Sequence, residues 1–218
     1  MRSALGATSI YYNSTIMKPT TSLEIYNYLL TKYKKGWWHH NPYRVMVESV
    51  MVQNATWKQV NKAEASFRKH LTPQWIENID EEYFANLIYS CRYSKVKTKT
   101  IKALTAWYKK YDYNAKKVMK LDTKTIRDEL LAIKGIGPET ADDILVYAFN
   151  KPSFIIDAYT RRLLEKLGLH FKNDNERRAF LTKDIPADGK VYGWYHGAIL
   201  QYNKDLEDKK EDVMVFGE

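Results

Sequence analysis

Residues 130–145 read LLAIKGIGPETADDIL, and the fold turns on how the GIG at their centre is read. The chain holds nine glycines in 218 residues, yet Gly135 and Gly137 stand one residue apart. Upstream, Ile126, Leu130, Leu131 and Ile133 recur at helical spacing, and downstream Pro138 suits the first turn of a new helix. A nucleotide P-loop needs GxxxxGK[ST], and a dinucleotide turn needs GxGxxG after a strand; neither is present. The stretch therefore reads as helix, short turn, helix. Helix capping by glycine and proline accounts for most of it. The doubled glycine fits a further use, since such a turn offers backbone N–H groups at the positive end of a helix, where anions bind.

Helical periodicity extends in both directions from this turn. In SLEIYNYLLTKY, Leu23, Tyr26, Leu29, Leu30 and Tyr33 recur at three- and four-residue steps, with Thr21 or Ser22 as N-cap. Asn41-Pro42 opens a second helix, Thr56 a third, and Asp80 a fourth that ends near Cys91. Lys95 to Tyr111 makes a fifth, basic on one face, and Asp122 caps a sixth that runs into the turn. Further helices start around Asp157, Asn173 and Lys190. No stretch alternates as a β-hairpin does. The chain is predicted to be all-α.

Composition bounds the function. A chain 44% hydrophobic and 28% charged is of the soluble globular class, long enough for one domain or two small ones. No apolar run approaches the roughly 20 residues of a membrane span. Residues 1–17 carry no signal-peptide pattern and are expected to be a flexible lead-in, which points to a cytoplasmic protein. The 35 basic residues outnumber the 26 acidic ones, a net charge of +9 that suits a polyanionic partner such as nucleic acid. The single cysteine, Cys91, excludes an internal disulfide framework and sits in an apolar helical pattern as a structural thiol. Lys95, Lys97, Lys99, Lys102, Lys109 and Lys110 crowd one segment and read as solvated, some of them able to track phosphates.

Four ordered segments resemble the endonuclease III-like, helix–hairpin–helix (HhH-GPD) DNA glycosylase superfamily. The GIG segment resembles its L-P-G-V-G-x-x-T-A hairpin, and Ile156 to Arg162 resembles its V-D-T-H-x-x-R segment, with Asp157 at the aspartate and Arg162 at the arginine. MVQNATWKQVNKA (residues 51–63) resembles its L-x-x-Q-N/Q-T segment, and Tyr195-His196-Gly197 its H-G step. The resemblance implies two helical lobes with a DNA-binding cleft between them. One, over about residues 41–151, would be a six-helix bundle containing the hairpin (about 122–149); residues 18–40 with 152–218 would form the other.

The chemistry implied is removal of a damaged base. Positive charge builds on the deoxyribose as the base leaves, and a carboxylate beneath the sugar stabilises it, so Asp157 is the expected catalytic residue. Asp157 also suits an N-cap, and the two uses are compatible. The hairpin at Lys134, Gly135 and Gly137, with Arg162, is expected to hold DNA phosphate, and Gln53 and Asn54 to fill the gap left by the flipped nucleotide. The resemblance also implies a monovalent cation, Na+ or K+, on the backbone carbonyls of Leu131, Ile133 and Ile136. Two departures are informative. Glu139 stands where backbone-cleaving relatives carry a nucleophilic lysine, and a carboxylate forms no Schiff base. The four cysteines of an iron–sulfur cluster are missing, so no cluster is expected. Both departures, with the pair Trp37-Trp38, resemble the monofunctional 3-methyladenine branch. An indole face there suits a flipped, positively charged alkylpurine by stacking and cation–π attraction. His39 and His40 lack acidic or cysteine partners for a metal and are read as DNA-facing or solvated. The expectation is a monomeric glycosylase acting on damaged double-stranded DNA without lyase activity. A bifunctional glycosylase/lyase and a non-catalytic helix–hairpin–helix DNA-binding protein are the alternatives.

Overall fold

The computed structural model describes residues 19, 21–33, 41–209 and 214. Among these there are twelve α-helices, one 3₁₀ turn (Tyr89–Cys91) and no strand. The all-α expectation holds. The first eight helices in chain order are α1 (Ser22–Lys32), α2 (Pro42–Met51), α3 (Trp57–Glu64), α4 (Pro73–Asn78), α5 (Glu81–Leu87), α6 (Ser94–Lys109), α7 (Ala115–Val118) and α8 (Thr123–Leu131). They are followed by α9 (Pro138–Phe149), α10 (Ala158–Lys166), α11 (Asp174–Thr182) and α12 (Gly189–Glu207).

Local chemistry sets the boundaries. Thr21 and Thr56 form reciprocal capping boxes with Glu24 and Gln59, and Asn41, Thr72, Asp80, Asp122, Asn173 and Asp188 cap their helices by side-chain hydrogen bonds. Prolines open α2, α4 and α9, where a missing N–H costs nothing. The short α4 and α7 were not anticipated from periodicity, because segments of six and four residues show too few turns to repeat.

Two apolar cores form. One gathers Tyr43, Met46, Val50, Phe67, Phe84, Ile101, Leu130, Ile144 and Phe149 from α2 to α9. The other gathers Ile25 and Leu29 of α1 with Phe154, Leu163, Trp194, Tyr195 and Tyr202. Each fully buried large side chain here is worth about 1.5–3 kcal/mol relative to exposure. Helix α9 packs on α2 in the first group and on α12 in the second, so it is the wall that both share.

A buried carboxylate ties the groups together. Asp142 on α9 is fully buried and accepts from Arg127 of α8 (2.8 and 3.3 Å), Arg178 of α11 (2.8 Å) and the Ser153 hydroxyl (2.5 Å). Two guanidinium groups and a hydroxyl thus satisfy a charge that would otherwise be costly to bury.

Candidate active site

The turn between α8 and α9 uses its two glycines differently. Gly135 has φ +97°, and a Cβ there would meet the Thr100 hydroxyl oxygen at 2.2 Å. That hydroxyl lies 3.1 Å from the Lys134 carbonyl, so the hairpin sits directly on α6. Glycine is required here by the protein itself. Gly137 has φ −95° and ψ 177°, an ordinary extended geometry, and a Cβ there would meet nothing within 4 Å. It is the N-cap of α9 and offers no capping side chain; among the described α-helices only α6 and α9 begin without one. Among the described residues nothing crowds position 137, and the turn is open to solvent there. Lys134 is exposed beside it. The Ile133 carbonyl accepts from the Ile136 N–H at 3.0 Å, which leaves it a second lone pair, as a backbone cation ligand would need.

Gln53 and Asn54, both expected at the gap with Asn54 the better match to the intruding residue and Gln53 in support, are separated in use. The Gln53 amide donates to the Gly135 carbonyl (3.0 Å) and to Thr140 Oγ1 (2.8 Å), which spends both of its N–H bonds on bracing the hairpin. Asn54 is exposed at φ +51°, a left-handed geometry that asparagine tolerates well. It is therefore Asn54 that the turn presents outward. Arg162 also departs from its expected use. Its Nη1 pairs with Glu207, and its guanidinium lies 5.2 Å over the Tyr159 ring, so the side chain is held against α12 and not at the hairpin. Opposite charge and an aromatic face draw it there.

Asp157 is 8% exposed and uses its two oxygens separately. Oδ1 accepts from the Thr160 N–H at 2.7 Å as the N-cap of α10, and Oδ2 faces His196 Nε2 at 3.4 Å. His196 is buried on α12, and its Nδ1 lies 2.8 Å from the hydroxyl of Tyr147, which is 3.0 Å from the Gly193 carbonyl. On α9, Glu139, Asp143 and Tyr147 follow at four-residue steps and so line one face. Three carboxylates and one imidazole thus crowd together. Burial pushes the Asp157 carboxyl upward, but His196 and the Thr160 hydrogen bonds outweigh it and hold it below the usual range. Burial opposes charge on His196, yet Asp157, then Asp143 and Glu139, raise its pKa above the usual value. Burial chiefly, then Asp157 and Asp142, lifts Asp143 to about 6 against the pull of His196 and Ser49. Glu139, more exposed than Asp143 and Asp157, is raised by partial loss of hydration and by Asp157. Neighbouring acids pushed apart in this way make the cluster a candidate functional site.

A cavity of about 460 Å³ opens along α12. Its lining includes Tyr33, Trp57, Tyr159, Gly197, Lys204 and Glu207. Tyr159 lies two residues beyond Asp157, and Gly197 adjoins His196 in the chain. Trp57 is 47% exposed although it is a tryptophan, so its face is available for stacking. The expected base-pocket pair Trp37 and Trp38, with His39 and His40, lies outside the described residues. Asp143, Tyr147, His196 and Trp57 were not assigned roles from sequence. Trp57 directly follows the polar QNAT turn, a readable signal; the other three gain meaning only once α12 folds over α9.

The site thus combines a glycine hairpin between α8 and α9 with a buried aspartate, held below its usual pKa range, at the start of α10. The family model described as HhH-GPD superfamily base excision DNA repair protein matches residues 47–186. The chain belongs to this superfamily and is a DNA glycosylase. It is 35% identical over 196 residues to a candidate DNA repair glycosylase of Methanocaldococcus jannaschii, covering 86% of this chain and 89% of that one. It is 24% identical over 169 residues to endonuclease III of Thermotoga maritima, with 76% and 75% covered. In fold it is similar to an H. pylori 3-methyladenine DNA glycosylase solved with 1,N6-ethenoadenine: TM-score 0.74, 23% identity, 88% of this chain and 99% of that one.

Proposed function

We propose that this glycosylase hydrolyses the N-glycosidic bond of alkylated purines such as 3-methyladenine in duplex DNA and stops at the abasic site. The observation that carries the reading is the ionised, buried Asp157 with Glu139, a carboxylate, at the position where lyase relatives have an amine. The C1′–N bond breaks with its electron pair leaving on the base, and Asp157 stabilises the cationic sugar. Water then adds to C1′ and its proton passes to a carboxylate of the cluster. Glu139 has no nitrogen with which to form a Schiff base. An alkylated purine carries positive charge, leaves readily, and is matched by the exposed face of Trp57 and by the Trp37-Trp38 pair. The hairpin at Lys134, Gly135 and Gly137 would hold a phosphate, Asn54 would enter the gap, and Na+ or K+ on the carbonyls of Leu131, Ile133 and Ile136 would add positive charge there. That ion is checked by duplex affinity: replacing Na+ and K+ with a bulky organic cation at equal ionic strength should weaken binding.

The decisive assay is release of 3-methyladenine from methylated duplex DNA. Asp157→Asn should lower the single-turnover rate by roughly a hundredfold or more while duplex binding persists. No release of any damaged base by the wild type would sink the proposal, and a borohydride-trapped protein–DNA adduct would replace hydrolysis with lyase chemistry.

A further inference from the structure

We propose that Tyr147 and His196 are positioning residues that hold Asp157 ionised and aimed, through a relay running from the Gly193 carbonyl to the carboxylate. The inference rests on the reading of Asp157 as the group beneath the sugar. Its geometry fixes the protons. The Gly193 carbonyl can only accept, so the Tyr147 hydroxyl, 3.0 Å away, donates to it. The hydroxyl oxygen is then an acceptor towards His196 Nδ1 at 2.8 Å, and Nδ1 must carry a proton. That leaves Nε2, which is buried, has no aligned hydrogen-bond partner among the described residues, and lies 3.4 Å from Asp157 Oδ2. A bare Nε2 would set its lone pair against a carboxylate. A protonated Nε2 makes the contact an ion pair, so His196 is an imidazolium whose tautomer is set from behind by Tyr147.

The groups facing His196 agree. Asp157 approaches from the start of α10, and Glu139, Asp143 and the Tyr147 hydroxyl from one face of α9. Three carboxylates around one ring favour its charged form. The 3.4 Å separation is long for a hydrogen bond, so the imidazolium acts on Oδ2 mainly as a fixed charge and leaves that oxygen open to a sugar cation.

Two measurements test this. Long-range ¹H–¹⁵N NMR of His196 should show both ring nitrogens protonated at pH 7 in the wild type, with a midpoint that falls by about one unit or more in Asp157→Asn. A neutral ring at pH 7, or an unmoved midpoint, overturns the relay. In single-turnover base release, Tyr147→Phe should lose about tenfold and move the acid limb of the pH profile upward, because Asp157 loses its fixed cation. A uniform fall with an unmoved acid limb would show a merely structural role and would also overturn it. Absence of base release by the wild type defeats the function reading alone, because the NMR result decides the relay without turnover.

Discussion

Gly135 and Gly137 are separated by one residue and answer to different masters. The first is demanded by φ +97° and by Thr100, so Gly135→Ala should cost about 2–3 kcal/mol of stability in urea unfolding. The second sits in extended geometry as an N-cap facing open space. Gly137→Ser supplies the missing cap, so its stability should be unchanged or raised while duplex affinity falls; equal affinity would show that nothing approaches there. Asp143 invites a pH experiment. Its carboxyl is raised to about 6, so the folded state carries a penalty that is absent below the unfolded pKa near 4 and complete above about 6. Asp143→Asn should therefore stabilise the protein at pH 7.5 by on the order of 1–3 kcal/mol and have little effect below about pH 4. An equal effect at both pH values would refute the burial account. At this scale Asp157 could be singled out because its family-like segment and its distance from the hairpin are sequence properties, and the structure adds its burial and its N-cap bond. His196 was visible only as part of an H-G step, and its partner lies 39 residues away in the chain, which periodicity does not encode.

At the scale of elements, helix caps were legible and the burial of charges was not. Thr21, Asn41, Thr56, Asp80 and Asp122 marked helix starts because capping chemistry is local. Lys97 shows the opposite case. Counted among solvated lysines, it is 3% exposed, and its ammonium donates to the carbonyls of Met51 (2.8 Å), Gln53 (2.6 Å) and Cys91 (2.5 Å). It closes the C-terminal end of α2 against the turn before α6, and so holds the segment that carries Gln53 and Asn54. Nothing in a lysine-rich run distinguishes the one whose charge faces three carbonyls. Lys97→Met keeps the apolar stem and strands those carbonyls, which should cost roughly 2–4 kcal/mol by chemical denaturation. A loss no larger than that of Lys99→Met would refute the role.

At the scale of the whole molecule, the two apolar cores are joined along α9, and Asp142 draws α8, α11 and the Ser153 segment onto it. The adjacent aspartates thus face opposite surroundings: Asp142 is sealed between two arginines, while Asp143 borders Asp157 and His196. The sequence shows them as an identical pair, and only the four-residue column of Glu139, Asp143 and Tyr147 tells them apart. The clamp at Asp142 has a mechanical consequence. A protein so bolted along its midline is expected to act as a fixture and not a jaw, leaving the work of deformation to the DNA. Spin labels at exposed Lys69 and Lys183 should then keep their separation when duplex binds, while labels on the DNA ends draw together. Selectivity for damage would follow in part from how readily a lesion lets the duplex yield to a rigid former.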